Sequence, residues 1–228
     1  MSTGIKPHPV VLVLVSNSPR RLSIIRNAWP YSFVINPSTA TEDTPDINET
    51  VQAYTSRVAL DKIKLISNYK SPERFFVSAD TAVYVDDSIL LKPSSDSDAL
   101  TMLKKLRNKE HIVSTSVSIN SVLLDEPIVV STITKVRFSN YSFHEMKSYV
   151  TACAPFDKSG GYAIQDKKFN FVSKITGCYL NVVGLPVCSL AQQIDKISPD
   201  VAKRIKLLSC TACKTNPCNM VGKTLEVK

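Results

Sequence analysis

The segment Val10-Val11-Leu12-Val13-Leu14-Val15, followed at once by Ser16-Asn17-Ser18-Pro19-Arg20-Arg21, decides the fold of this chain. An unbroken aliphatic run of this length predicts a strand buried on both faces, as in a parallel sheet with helices on either side. The run is too short to span a bilayer. Ser18 can then cap a helix whose first position is Pro19. The sequence therefore opens with a strand, a turn and a helix, which is typical of α/β proteins.

The rest of the chain alternates predicted strands and helices before its strands cluster. The apolar spacing predicts a long helix over 46–69, with Ile47 and Leu65 on its buried stripe. A strand over 75–79 is predicted to end at Asp80. Further strands are predicted over 111–124 and 128–138, and further helices over 95–106, 142–152, 187–195 and from Ser198 onward. These elements predict an α/β fold with a mixed, twisted sheet flanked by helices.

Composition and charge exclude several classes of protein. The 228 residues are 43% hydrophobic and 21% charged, which is ordinary globular composition and excludes collagen-like, coiled-coil and largely disordered chains. Of the net charge of +8, +5 falls between Lys196 and Lys228, where seven Lys/Arg face two Asp/Glu. We expect this basic tail to be a solvated helix and loop, so nucleic acid is not an expected partner. Nucleic-acid binding by the tail is kept as an alternative.

The cysteines bear on location and on metal binding. Six cysteines without a convincing signal peptide predict reduced thiols in the cytoplasm and no membrane partner. Cys210 and Cys213 have the spacing of a zinc knuckle, and Cys218 could be a third ligand. A structural zinc site needs four ligands, and no nearby histidine supplies the fourth. We therefore expect thiols without zinc and keep a zinc-binding tail as an alternative.

The first turn of the first predicted helix carries an unusual charge. Arg20 and Arg21 face the positive end of the helix dipole, which costs a few tenths of a kcal/mol each. A bound anion would reverse that sign, because unpaired N–H groups, two guanidinium groups and the hydroxyls of Ser16 and Ser18 together suit a phosphate. The alternative is that both arginines simply point into water.

This segment resembles the opening signature of the Maf family of nucleotide pyrophosphatases, and further motifs of that family follow in order over about residues 10–195. Eight motifs in one order are far more specific than any one of them. They are Ser16–Arg21, Glu42 after Pro37-Ser38, Arg57 with Lys62, Ser78-Ala79-Asp80-Thr81-Ala82-Val83, Leu90-Leu91-Lys92-Pro93, His111 with Thr115 and Val117, and the loop Asp157–Gln165, and the series closes on Asn181-Val182-Val183-Gly184-Leu185-Pro186. Ser78, Leu91, Ser116 and Ala163 stand where the family usually has glycine.

The resemblance implies a Maf/ITPase-like fold with a central cleft, formed by a domain over 1–197 and followed by a basic, cysteine-containing extension over 198–228. It also implies hydrolysis of a nucleoside triphosphate between the α- and β-phosphates, giving a monophosphate and pyrophosphate. A homodimer is implied as well, although no coiled-coil seam or apolar patch in the sequence points to one.

The site residues follow from matching these motifs to the demands of phosphoryl chemistry. The cations Arg20, Arg21, Lys62 and Lys92 would contact the phosphates, with Lys62 and Lys92 taking part in catalysis. Ser16 and Ser18 would donate hydrogen bonds to the substrate. Glu42 and Asp80 would hold Mg²⁺ or Mn²⁺, and Asp80 would also orient or deprotonate the attacking water.

Each of these residues also has a simpler interpretation. Asp80 could cap the turn after its strand, and Lys62, in phase with the apolar stripe, could extend its ammonium group past that stripe into water. Glu42 and Lys92 could be solvated surface charges. His111 is expected to be a hydrogen-bonding residue rather than a catalyst.

The identity of the base depends on a single loop. The loop that ends at Gln165 resembles the branch of the family that acts on dTTP and UTP, and the amide of Gln165 can both donate to and accept from a pyrimidine edge. The expected role is removal of non-standard nucleotides, including modified pyrimidine triphosphates. Two alternatives stay open, a preference for another nucleotide such as 7-methyl-GTP and a nucleotide-binding protein without catalysis.

Overall fold

The computed structural model describes residues 10–40, 43–66, 74–169, 171–206 and 224–226, and the strands among them form one mixed sheet of eight. Along the sheet the strand order is β2-β1-β3-β5-β6-β7-β8, and β4 pairs with β3 beside that path. The predicted fold class is thereby confirmed. The strands are Val11–Val15 (β1), Phe33–Ile35 (β2), Arg74–Val85 (β3), Ser88–Leu90 (β4), Glu110–Asn120 (β5), Ile128–Phe138 (β6), Val172–Thr176 (β7) and Thr224–Glu226 (β8).

Helices flank this sheet, and most of the longer ones begin at a polar cap. Ser18, Thr50, Ser95 and Ser142 each accept a backbone N–H with their side-chain oxygen at the start of a helix, which satisfies a donor that the helix leaves unpaired. Three short 3-10 turns, Pro155–Asp157, Ser159–Gly161 and Lys167–Phe169, lie between the fourth helix and β7. The helices are Pro19–Ala28 (α1), Val51–Lys64 (α2), Asp96–Leu106 (α3), Phe143–Cys153 (α4), Tyr179–Val183 (α5), Val187–Ile197 (α6) and Pro199–Ala202 (α7).

Strand β1 is buried on both of its faces, as its unbroken aliphatic sequence predicts. Alternate residues of a strand point to opposite faces of the sheet. Leu12 and Leu14 belong to a core cluster that includes residues of α1 and α6, whereas Val13 and Val15 pack with Ile63 of α2. Truncating such a residue to alanine removes about 2–5 kcal/mol of folding stability, so this strand anchors both layers.

Strand β3 changes partners along one of its edges. On one side it pairs antiparallel with β5 from Phe76 to Tyr84 without a break. On the other side its parallel pairing with β1 ends at Ser78, and its antiparallel pairing with β4 begins only at Val83. Within the described residues, 79–82 therefore have no strand partner on that edge. Ligands of open α/β sheets bind beyond the carboxyl ends of strands, and β1 ends here, next to α1.

Several predicted boundaries are wrong, each for a physical reason. Helix α2 begins only at Val51, because 46–49 form a turn in which the N–H of Glu49 donates to the carbonyl oxygen of Asp46, and Ile47 is 94% exposed. At its other end the helix stops at Lys64, and Leu65, which was predicted to lie on the buried stripe, is exposed.

The strand predicted to end at Asp80 continues to Val85, since β5 pairs with its whole second half. The strand predicted over 111–124 ends at Asn120, where Ser121 opens a turn that its carbonyl closes by accepting the N–H of Leu124. The helix predicted from Ser198 onward is only the four-residue α7 within the described residues.

Some predictions fall where the structure gives no description. Glu42 and the three cysteines at 210, 213 and 218 lie outside the described residues. The proposed metal ligand Glu42 and the zinc alternative therefore stay predictions, and the boundary of a tail at 198 stays one as well. Among the described residues, none of the helices combines the length and the apolar character that crossing a bilayer requires.

Candidate active site

A cleft of about 350 Å³ opens beside 79–82, between the start of α1 and the loop that follows α4. Its position follows from the change of strand partners on β3, which exposes the middle of that strand to the N-terminal end of a helix. The predicted site residues that the structure describes all line this one cleft: Ser16, Ser18, Arg20, Arg21, Lys62, Asp80, Lys92 and Gln165.

The turn between β1 and α1 places two serine hydroxyls at one end of the cleft. The hydroxyl oxygen of Ser16 accepts the N–H of Ser18 at 3.2 Å, and that of Ser18 accepts the N–H of Arg21 at 3.4 Å. Both oxygens therefore serve the local fold. A serine hydroxyl has one donor and two acceptor sites, so its proton is what each could offer to an anion.

Arg21 connects three parts of the fold. Its Nε donates to the carbonyl oxygen of Gly184 at 2.8 Å, its Nη2 to Thr81 Oγ1 at 3.0 Å, and its Nη1 to Ser16 Oγ at 3.3 Å. Thr81 in turn shares a hydrogen bond of 2.9 Å with Thr115 of β5. A guanidinium group can donate five hydrogen bonds, and Arg21 uses them to tie the start of α1 to Thr81 beside Asp80 and to the residue that follows α5.

Arg20 reaches across the mouth of the cleft to a carboxylate. Its Nη1 lies 2.7 Å from Asp157 Oδ2, and Lys158 Nζ lies 2.7 Å from the other oxygen, Oδ1. Burial alone would raise the pKa of Asp157, but hydrogen bonds from Lys158 and Arg20 outweigh it and hold that pKa below its ordinary value. Arg20 and Lys158 are thus both paired with the carboxylate of Asp157 at the rim of the cleft.

Lys62 and Asp80 form a buried ion pair on the floor of the cleft, with 2.7 Å between Nζ and Oδ1 and side-chain exposures of only 7% and 8%. Lys62 follows the apolar stripe of α2, and Asp80 projects toward that helix from the middle of β3. The ammonium group therefore does not extend into water, and Asp80 does not cap a turn, so both simpler interpretations are wrong. Separating such a pair by removing one partner costs about 3–5 kcal/mol.

Lys92 approaches the cleft from an exposed loop after β4. The loop is held by the backbone, since the N–H of Gly160 donates to the carbonyl oxygen of Leu91 at 2.9 Å. Gly160 has a φ of +72°, and a Cβ added there would lie 2.9 Å from Val83 Cγ2. A side chain at this position would both strain the backbone and push against β3.

His111 lies behind the cleft and does not line it. Its Nε2 lies 2.8 Å from the hydroxyl oxygen of Tyr162, which lines the cleft. Burial lowers the pKa of His111 to about 3, so the ring is neutral near pH 7. These contacts agree with the expectation that His111 is a hydrogen-bonding residue.

One carboxylate of the cleft, that of Asp80, is of the kind that Mg²⁺ binds. The described residues contain no group of three or more His, Cys, Asp or Glu arranged to hold a metal. Mg²⁺ needs no such group, because it commonly uses one or two carboxylates together with substrate phosphates and water. Asp80 is one such carboxylate in the cleft.

Sequence reasoning assigned no role to several residues of the cleft. Asp157 and Lys158 belong to a quoted motif, yet the pairing of Asp157 with Arg20 is a contact between positions 137 residues apart. Thr81 stands next to Asp80, and Ser38 comes from the loop after β2. The motif that contains Asp157 and Lys158 was the available signal, but nothing in the sequence showed that Asp157 would meet Arg20.

The fold and this site define an α/β protein whose cationic cleft lies between a helix N terminus and the central strand. A family model described as Maf-like protein matches residues 11–197, and the chain belongs to that family. The family predicted from the motifs is thus confirmed.

Curated relatives share about a third of their residues with this chain. The dTTP/UTP pyrophosphatase of Carboxydothermus hydrogenoformans is 36% identical over 184 residues, covering 80% of this chain and 96% of the relative. That of Geobacter metallireducens is 37% identical over 183 residues, with coverages of 80% and 94%. That of a Dehalococcoides mccartyi strain is 36% identical over 215 residues and covers 93% of each chain.

Among solved structures, the Staphylococcus aureus Ham1 protein matches with a TM-score of 0.37 and 13% identity, covering 56% of this chain and 71% of that chain.

Proposed function

We propose that this chain is a nucleoside triphosphate pyrophosphatase that hydrolyses dTTP, UTP or related modified pyrimidine nucleotides. Water and the triphosphate would give the nucleoside monophosphate and pyrophosphate. The observation that carries the proposal is the buried Lys62–Asp80 pair, which shares one cleft with the N-terminal end of α1. Membership of the Maf-like family and the names of the relatives support the same reaction.

The phosphate chain would lie against the cationic wall of the cleft. Arg20 at the start of α1, Lys92 and Lys158 line that wall, and the end of α1 adds backbone N–H groups and the positive end of its dipole. Charge-assisted hydrogen bonds of this kind both neutralise phosphate oxygens and fix their position. Catalysis of phosphoryl transfer consists mainly of such positioning and charge stabilisation.

Asp80 would act on the attacking water. Its carboxylate would accept a hydrogen bond from the water, whose oxygen attacks the α-phosphorus in line with the bond to the β-phosphate. A new P–O bond forms while the bond to the bridging oxygen breaks, and pyrophosphate leaves with that electron pair. The proton of the water passes to Asp80 and then to solvent. Lys62 holds the carboxylate in place and offsets its charge.

We propose Mg²⁺ or Mn²⁺ as the cofactor, held by Asp80 together with Glu42. When bound, such an ion neutralises charge on the phosphate oxygens. We further propose that Gln165, which lines the cleft from the loop after α4, contacts the edge of the base. The homodimer and the cytoplasmic location stay predictions, for which the mass of the purified protein in solution and its distribution between cell fractions are the tests.

The test is a panel of nucleoside triphosphates with Mg²⁺ or Mn²⁺, in which pyrophosphate and inorganic phosphate are measured separately. We expect pyrophosphate as the product and dTTP or UTP among the best substrates. Release of inorganic phosphate would show that a different bond is cut, and much faster hydrolysis of 7-methyl-GTP would overturn the base assignment. Val201 and Ile205 belong to the core, so the deletion that tests the tail is 207–228. It should leave hydrolysis largely intact, whereas loss of salt-dependent nucleic-acid binding on deletion would favour the alternative role of the tail.

A further inference from the structure

A tight turn over 163–166 presents the residue that would read the base. The N–H of Asp166 donates to the carbonyl oxygen of Ala163 at 3.1 Å, which closes the turn. Ile164 and Gln165 occupy its two central positions, and both line the cleft. The orientation of Gln165 therefore depends on what holds the two ends of this turn.

A single hydroxyl group joins those two ends. Tyr149 lies on α4 and is 1% exposed. Its hydroxyl donates to Asp166 Oδ2 at 2.6 Å and accepts the backbone N–H of Ala163 at 2.9 Å. One side chain from a helix that does not line the cleft thus bridges the first and last residues of the turn.

The tyrosine that makes this bridge is itself fixed. Its ring meets Phe169 and Phe171 edge-on, with centroid distances of 5.1 and 5.2 Å. Burial raises the pKa of Tyr149, and the hydrogen bond to Asp166 raises it further. The hydroxyl group therefore stays protonated across the physiological range and keeps donating to Asp166.

We propose that Tyr149, with Asp166 as its partner, is a positioning residue for base selection, which fixes Gln165 in the orientation that favours thymine or uracil. An amide discriminates between bases only if its donor and acceptor ends are held in one orientation, since an unrestrained amide can turn to suit a competitor. This inference rests on the proposed function and assigns a residue outside the cleft to its specificity.

The test compares Tyr149→Phe with Tyr141→Phe. Both tyrosines lie in the same core cluster and contact Phe171, and the hydroxyl of Tyr141 donates to the carbonyl oxygen of Leu103 at 2.7 Å. Each substitution removes one buried hydroxyl and keeps the ring, so the two variants should lose similar stability. Of these two tyrosines, only Tyr149 hydrogen-bonds to the turn that carries Gln165.

For Tyr149→Phe we expect the KM for dTTP to rise about fivefold, with kcat changed less than about twofold, as loss of one hydrogen bond implies. The preference for dTTP over dCTP in kcat/KM should fall by about the same factor. The inhibition constant of pyrophosphate, which has no base, should be unchanged. Tyr141→Phe should alter none of these quantities.

Two variants of Asp166 separate positioning from folding. Asp166→Ala should lower the preference for dTTP as Tyr149→Phe does, and it provides the test if Tyr149→Phe does not fold. Asp166→Asn keeps an oxygen that can accept from the Tyr149 hydroxyl, so it should retain most of the preference that Asp166→Ala loses.

The outcomes distinguish this inference from the function on which it rests. If the native protein hydrolyses dTTP but its preference over dCTP survives in Tyr149→Phe and Asp166→Ala, the inference is wrong and the proposed function stands. An equal weakening of dTTP and pyrophosphate binding would also overturn it, because the whole cleft would then have loosened. If the native protein hydrolyses no pyrimidine triphosphate, both proposals fail.

Discussion

The two walls of the cleft are built in different ways. The phosphate side rests on regular elements, with Lys62 in α2 and Asp80 in β3 joined by a buried ion pair. The base side is a loop of short 3-10 turns and one tight turn, held by the hydroxyls of Tyr149 and Tyr162. In the proposed binding mode, the part of a substrate that all nucleotides share would meet the rigid sheet. The base, which distinguishes them, would meet a loop that can vary without rebuilding that sheet.

The largest expected effect tests the phosphate side. Asp80→Asn keeps the size of the side chain but cannot take a proton from water, so turnover should fall about 10²- to 10⁴-fold. Asp61→Asn, one residue before Lys62 and outside the cleft, is the control and should retain activity. Initial rates of pyrophosphate release, measured well below the melting temperature of each variant, decide the matter. Turnover of Asp80→Asn within tenfold of the native rate would remove Asp80 from the reaction.

A pair of lysine variants separates binding from folding on the same wall. Lys62→Met leaves Asp80 buried without its cationic partner, so the free energy of unfolding should fall by about 3–5 kcal/mol along with activity. Lys92→Met should lose about 10- to 100-fold in kcat/KM, the value of one charge-assisted contact. Because Lys92 is exposed, the free energy of unfolding of Lys92→Met should differ from that of the native protein by less than about 0.5 kcal/mol.

Urea unfolding and steady-state kinetics on both lysine variants check this contrast. Equal losses of stability would show that the two lysines do not differ in burial as the structure has them.

His111, which hydrogen-bonds to Tyr162 on the base side, should make the stability of the fold depend on pH. Burial holds the pKa of His111 at about 3, whereas an unfolded histidine titrates near 6.5. As pH falls through 6.5, the unfolded chain binds a proton that the folded protein excludes, so unfolding is favoured. Between pH 7 and pH 5 this should cost about 2 kcal/mol of stability.

The variant His111→Gln should remove that part of the pH dependence, measured by urea unfolding at both values. His144→Gln, at an exposed position of α4, should leave it in place. If the loss of stability on acidification is the same in His111→Gln as in the native protein, His111 is not the group that titrates.

The smallest expected effect concerns the contact that joins the two walls. Asp157→Asn removes the negative charge that pairs with Arg20 and Lys158. The side chain at 157 then competes less with substrate phosphate for these two cations. An exposed ion pair contributes about 0–1 kcal/mol, so the KM for dTTP should fall by no more than about fivefold. Asp86→Asn breaks an ion pair with Lys109 far from the cleft and should change nothing. A rise in KM instead would mean that Asp157 binds the substrate.

Much of the phosphate side could be predicted because its signals are local. The aliphatic run of β1 and the serine cap of α1 are read directly from neighbouring residues. The order of the motifs identified the residues that share the cleft.

The errors arise where distant pairing decides the outcome. Asp80 lies inside a strand because β5 extends it, and the sequence around Asp80 carries no sign of that pairing. The spacing of Lys62 fitted both a snorkelling and a buried ammonium group, since only the position of Asp80 distinguishes them. The bridge of Tyr149 joins residues at least 14 positions apart on a helix and a loop, and no spacing rule connects them.

The close approach of Gly160 to Val83 has a consequence for redesign. Anyone who replaces the 158–165 loop to change which nucleotide is accepted must keep glycine at 160, because any larger residue would press on the strand three positions beyond Asp80. Libraries that randomise this position would yield mostly inactive clones for reasons unrelated to nucleotide choice. Diversity is better directed to Gln165, which lines the cleft and is exposed.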